Sequence, residues 1–202
     1  MKLPVQPEVL IMGHPLLFQS QPQVSVDTIN TGDFRHNLKV LKQQQIDTQG
    51  VGLAAPQVGW AARVLSMGIS DENRSRYPRA PDIPFCFWIN PEIIDVSDET
   101  CWTWEACLSV PGMRAWIERP SEVRVAGYDH QGERVEQELS GFVARVMQHE
   151  MDHLNGILFP KMVEDKSLII PNEAIFRQDQ WADDWPTPSA RVTPRGQISP
   201  TR

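Results

Sequence analysis

The chain has 202 residues, 41% of them hydrophobic and 22% charged, a size and composition that suit one globular unit with a sizeable core. Its 19 basic against 26 acidic side chains leave a net charge of -7, which argues against broad nonspecific binding to nucleic acid or to an anionic membrane while leaving room for a local basic patch. No apolar run is long enough to span a bilayer, and Met1-Lys2-Leu3-Pro4-Val5-Gln6-Pro7 lacks the apolar core of a signal peptide, so a cytoplasmic protein with no membrane and no direct DNA partner is expected.

From Thr31 to Gln49, Phe34, Leu38, Leu41 and Gln45/Ile46 recur at helical spacing and Gly50 follows, which predicts one amphipathic helix. Gly50-Val51-Gly52-Leu53-Ala54-Ala55-Pro56-Gln57-Val58-Gly59 then reads as an exposed, sharply directed loop between core elements, because glycine and proline punctuate the backbone. Arg63–Ile69 and Phe85–Ile94 are rich in apolar and β-branched residues and predict strands, with a polar surface loop from Ser70 to Pro84 between them. Val123, Val125 and Gly127 alternate with polar positions, Asp129-His130-Gln131-Gly132 supplies a turn, and Val135 and Leu139 resume the alternation; this is a β-hairpin.

Ser140 stands where it can cap a following helix, along which Phe142, Val143, Val146, Met147 and Leu154 form an apolar stripe and after which Gly156 can act as a stop. That helix carries Gln148-His149-Glu150-Met151-Asp152-His153. At four-residue spacing the two imidazoles share one helix face, the arrangement that holds a divalent cation, while Glu150, one position out of line, is placed to move protons rather than to ligate. With only 5 His in the chain, a chance match is rare, on the order of one in a hundred. The chain reads as a metal-dependent hydrolase, against the simpler alternative of a solvated helix that happens to carry charge.

Two imidazoles leave a tetrahedral ion one protein ligand short if a position is to stay open for reaction. Three cysteines, Cys86, Cys101 and Cys107, form no disulfide framework and no Cys-x-x-Cys knuckle. Cys86 lies within a predicted strand between two phenylalanines and reads as a small buried hydrophobe, and Cys101 has no local partner motif. Cys107, in the compact, turn-prone run Glu105-Ala106-Cys107-Leu108-Ser109-Val110-Pro111-Gly112, is the chosen third ligand.

Gly50-Val51-Gly52-Leu53-Ala54-Ala55-Pro56-Gln57, Glu105-Ala106-Cys107-Leu108-Ser109 and Gln148-His149-Glu150-Met151-Asp152-His153-Leu154 resemble, in order, the three signature motifs of peptide deformylases, with similarity from about Val9 to Phe159. The resemblance implies an α+β fold in which antiparallel sheets surround the helix bearing the two histidines. It implies removal of the formyl group from the N-terminal formyl-methionine of nascent polypeptides, with the ribosome as a neighbouring partner. Cys107, His149 and His153 would hold the ion, Fe(II) in the cell with Zn, Ni or Co as replacements. Glu150 would serve as base and then acid, and the Gln57 amide and Leu108 N–H as oxyanion donors. Val51 and Gly52 would pair with an extended peptide, Phe142 and Val146 would line a methionine pocket, and Arg114 would stand near the peptide.

One residue departs from the family pattern: Ala106 replaces the usual glycine. An extended backbone there would keep the carbonyl that holds substrate and alter only the shape of the groove, whereas a positive φ would strain it by about 1 kcal/mol; the extended case is favoured. Arg119 is expected to pair with Asp152, behind the ligands. Residues 1–170 are expected to form a single catalytic domain and 171–202 a Pro-rich extension, draped or partly disordered, anchored by Trp181 and Trp185. Two other readings are a deformylase-like module that binds metal without turnover and a general zinc peptidase.

Overall fold

Thr31 opens the first long helix by accepting the Phe34 N–H on its hydroxyl at 3.3 Å, one of the donors a helix start leaves unpaired. The computed structural model describes residues 2–69, 71–75, 80–183, 185 and 186. After a short helix α1 (Val26–Ile29), α2 (Gly32–Asp47) buries Phe34, Leu38, Val40 and Leu41, within two residues of the helix predicted. At its end the buried Gln45 Nε2 reaches the carbonyls of Gly50, Val51 and Gly68 at 3.3, 3.2 and 3.1 Å, which fixes the chain that follows.

That following segment is not the exposed loop its glycines suggest. It forms strand β1 (Gly52–Ala54) and a 3-10 turn (Ala55–Val58) in which every residue from 52 to 58 is buried. Small residues serve here to let another element approach: a Cβ on Gly52 would fall 2.5 Å from Glu150 Oε1. Strands β2 (Val64–Met67) and β3 (Cys86–Val96) follow. Between them lie a short helix α3 (Asp71–Arg74) and the buried Ala80 and Ile83, so the predicted surface loop is partly core, with residues 70 and 76–79 outside the described part.

Strands β1, β2 and β3 join β6 (Glu122–Tyr128) and β7 (Arg134–Ser140) in one antiparallel sheet of order β1-β2-β3-β6-β7. The β6–β7 pair is the hairpin read from the alternation. Successive residues of a strand face opposite ways: Ala54, Leu65 and Trp88 join one apolar cluster, and Leu53, Val64 and Ile89 another. Helix α2 covers the second face. The first is covered by α4 (Gly141–Leu154), through Phe142, Ala144, Met147, Met151 and Leu154. Burying each such large side chain contributes about 1.5–3 kcal/mol, so α4 is held along its whole length. Ser140 occupies the cap position, but its side chain makes no capping bond. Gly156, at φ 72°, ends the helix as expected.

A second antiparallel sheet, of order β4-β5-β8, consists of β4 (Thr100–Cys107), β5 (Val110–Pro120) and β8 (Ile169–Pro171), with helix α5 (Phe159–Met162) before the last strand. The run from Glu105 to Gly112 is thus the end of a long hairpin, with Cys107 opposite Val110, rather than an isolated turn. Its strands escaped sequence reading because both faces are buried: Ala115 and Ile117 pack on one side, where Thr103, Glu105 and Arg119 are buried with them, and Trp104, Trp116 and Ile170 on the other. Polar residues then no longer mark a solvent face. Beyond β8, residues 172–180 form 3-10 turns, and Trp181 and Trp185 pack on Trp104; residues 184 and 187–202 lie outside the described part. Among the described residues no helix is long and apolar enough to cross a membrane.

Candidate active site

Helix α4 presents His149 and His153 on one face, with ring centroids 5.1 Å apart, and the tip of the β4–β5 hairpin brings Cys107 to them. Cys107 Sγ lies 3.2 Å from His153 Nε2. One ligand atom from each of the three residues falls within 4.8 Å of the others, close enough for a single ion to bridge, and a thiolate with two imidazoles is a donor set that suits a divalent transition metal. Cys86 and Cys101 are not part of this cluster.

What aims His149 is a carboxylate whose role the sequence did not disclose. Glu105, 5% exposed, accepts from Arg119 Nε at 2.6 Å and Arg145 Nη1 at 2.7 Å on one oxygen, and from Arg119 Nη2 and the His149 Nδ1–H, both at 2.9 Å, on the other. Holding Nδ1 as a donor leaves Nε2 of that ring to ligate. Burial disfavours the Glu105 anion, but Arg119 and His149 outweigh it and hold its pKa well below the usual carboxylate range. Burial likewise opposes the His149 cation, yet the Cys107 sulfur and Glu105 raise its pKa well above normal. Burial, with the nearby His149 and Arg119 charges, lowers that of His153. A proton on His149 and a metal ion therefore compete for one site. The expected Arg119–Asp152 pair is present at 2.8 Å.

Glu150 is 5% exposed and lies against the Gly52 backbone. Burial pushes its pKa up to about 7, a value at which a carboxyl group both takes and returns protons near neutrality, although a cation alongside would draw it down again. Gln57 is divided in function: its Oε1 accepts the Ala54 N–H at 2.8 Å and locks the turn, while Nε2 donates to Ser109 Oγ at 3.1 Å and lies 3.7 Å from Cys107 Sγ. Among the described residues the Leu108 N–H meets no acceptor.

These groups share a cleft of about 260 Å³. Among the described residues β1 pairs only with β2 and β4 only with β5, so the cleft runs between two strand edges, with Val51 and Gly52 on one side and Glu105, Ala106 and Cys107 on the other. Phe142 and Val146 line it and also belong to the core, at 7% and 5% exposure. Ala106 lies in β4 opposite Arg114, and positive φ among non-glycine described residues is confined to Gln49 and Asn90, so the extended case holds. Arg114 is not itself in the lining; its Nε donates to Asn172 Oδ1 at 3.0 Å, and Asn172 lines the cleft.

Residues 7–168 match the family model for polypeptide deformylase. The chain belongs to that family. It is 38% identical over 176 residues to peptide deformylase 1 of Nitrosomonas europaea, covering 87% of this chain and 98% of that one. To peptide deformylase 2 of Ralstonia nicotianae it is 44% identical over 143 residues, covering 69% and 80%. The fold resembles the Met-Ala-Ser-bound class I type b peptide deformylase of Acinetobacter baumannii, at a TM-score of 0.73 and 37% identity over 81% of this chain and 99% of the other. The Thermotoga maritima peptide deformylase gives a TM-score of 0.69 at 32% identity, covering 79% and 98%.

Within this deformylase framework, sequence reasoning passed over Glu105's bonds, Arg145, Ser109 and Asn172. A signal for Arg145 existed. It follows Phe142 by three residues and precedes His149 by four, which puts a guanidinium on the inward face of α4, and a buried cation requires a buried partner. Nothing local marked Asn172.

Proposed function

We propose that the chain hydrolyses the formyl group from the N-terminal formyl-methionine of nascent polypeptides, releasing formate, with Cys107, His149 and His153 holding one divalent ion. The observation that carries this reading is the convergence of those three donors beside a buried carboxylate at the floor of a cleft bounded by two strand edges. When bound, such an ion polarises the formyl oxygen and makes water more acidic.

The chain's own residues supply the rest. Glu150 takes a proton from the attacking water and returns it to the departing amine, which leaves poorly without one. Gln57 Nε2 and the Leu108 N–H stand beside Cys107 as donors to the oxyanion, a contribution of about 3–4 kcal/mol each where it has been removed from comparable sites. Val51 and Gly52, on the open edge of β1, pair with an extended peptide main chain, which accepts many sequences. Phe142 and Val146 offer an apolar surface to the methionine side chain. The Acinetobacter baumannii relative has been seen with Met-Ala-Ser bound, the kind of product this reaction leaves.

Fe(II) is the proposed ion in the cell, with Zn, Ni or Co as replacements, since a mixed sulfur and nitrogen donor set accepts all four. A substrate carried by nascent chains supports the cytoplasm, near the ribosome's exit tunnel, as the proposed place of action. A metal-binding module without turnover is not favoured, because the family match spans every motif and no ligand or base is replaced. The test is formate release from formyl-Met-Ala-Ser against loss of acetate from acetyl-Met-Ala-Ser: only the first should react. Equal hydrolysis of both would refute the reading.

A further inference from the structure

The family match ends at residue 168, yet the chain beyond it returns to the cleft. Strand β8 adds to β5 with Ile170 opposite Arg114, and Asn172, one residue past the strand, lines the same cleft as Val51 and Glu150. The segment is held down by aromatic packing. Trp104, itself in the cleft lining, lies between Trp116 on one side (ring centroids 5.2 Å apart) and Trp181 and Trp185 (5.6 and 6.2 Å). Such pairs contribute beyond their buried area and fix the position of the segment that carries them.

Asn172 is also aimed. Arginine has only donors, so the 3.0 Å bond from Arg114 Nε assigns the carbonyl oxygen of Asn172 to Arg114 and leaves its NH₂ group to be offered elsewhere. Asn172 is half-buried and stands on the wall formed by Trp104 and the β4–β5 tip. An extended peptide lying along the edge of β1 presents carbonyl oxygens alternately to the two sides. The group that meets the Asn172 donor is then a peptide carbonyl downstream of the formylated residue.

We propose that β8 and the residue after it bring Asn172 into the wall of the peptide groove and that Asn172, oriented by Arg114, is a specificity-determining residue that donates to a substrate main-chain carbonyl beyond the first peptide bond. The inference rests on the deformylase reading of this cleft. It makes the enzyme favour tripeptides and longer chains over dipeptides, irrespective of side chain.

The test uses the full metal-loaded chain with formyl-Met-Ala and formyl-Met-Ala-Ser as substrates, and titration calorimetry with the products Met-Ala and Met-Ala-Ser. In N172A the ratio of tripeptide to dipeptide kcat/KM should fall about three- to tenfold, the value of one neutral hydrogen bond, with the change in KM and a matching loss in Met-Ala-Ser affinity. N172D still accepts from Arg114 but presents an anion where the donor stood, so it should lose at least as much. Wild-type selectivity in N172D would show that Asn172 serves only to hold Arg114, and an equal fall for both substrates in either variant would show a general structural effect; each result overturns the proposal. Failure of the wild type to release formate would count against the reaction instead, and the product affinities would still decide the role of Asn172.

Discussion

Replacing Glu105 by Gln keeps the shape of the side chain and removes the charge on which two arginines and a histidine converge. The amide oxygen can still accept from Arg119 Nε and Arg145 Nη1, but the new NH₂ group faces two donors, Arg119 Nη2 and His149 Nδ1, each at 2.9 Å from the atom it replaces. As an anionic partner Arg119 then retains only Asp152, at 2.8 Å, and Arg145 keeps backbone carbonyls at Ile117 and Cys101. Breaking a buried ion pair on one side costs about 3–5 kcal/mol because the partner charge stays buried. At roughly 2–4 °C per kcal/mol for a chain of this size, the melting temperature should drop by about 6–20 °C. Because His149 loses the acceptor that fixes its ring, metal affinity should fall about 10- to 100-fold. Urea denaturation measures the first effect, and competition with a chelator the second. R145M, which leaves the Glu105–His149 bond in place, should lose stability with a smaller change in metal affinity. If E105Q unfolds within about 1 kcal/mol of the wild type and retains its ion equally well, the clasp is not what positions His149.

G52A should bring a methyl group to 2.5 Å from Glu150 Oε1 and push the carboxylate aside; a misplacement near 1 Å lowers kcat about a hundredfold, so formate release should collapse while circular dichroism stays native, and unchanged turnover would contradict the proposed role of Glu150. E150A should keep its metal on elemental analysis and lose about 10²–10⁴-fold in rate. C107A should fold but retain less than the wild-type complement of metal after dialysis, since two imidazoles alone hold the ion weakly; full occupancy would remove the thiol from the ligand set. G156A introduces a residue at φ 72° with its Cβ 2.7 Å from the backbone of Phe18 and Gln19, and should cost more than the roughly 1–2 kcal/mol of the backbone strain alone, read as a lower melting temperature.

Local periodicity wrote much of this molecule into its sequence. Helix α2, helix α4 with its two imidazoles and one carboxylate, and the β6–β7 hairpin each follow from spacings within a single short window, because a helix returns to the same face every three or four residues and a strand every two. The choice of Cys107 over Cys86 and Cys101 was also legible, from the composition of the segments around them. The strands β4 and β5 were not, since both of their faces are buried, with Thr103, Glu105 and Arg119 inside, so that polar residues no longer mark a solvent face. The glycines before Gln57 suggest an exposed loop, although the smallness of Gly52 serves a close approach by Glu150, a residue about a hundred positions away in the chain. Helix spacing turns Arg145 inward and Arg119 is expected beside Asp152, but nothing in one dimension joins either of them to Glu105. Only folding, which removes water from all three and turns both guanidinium groups onto the one carboxylate, makes them the support of His149, and only the return of the chain past β8 brings Asn172 to the cleft.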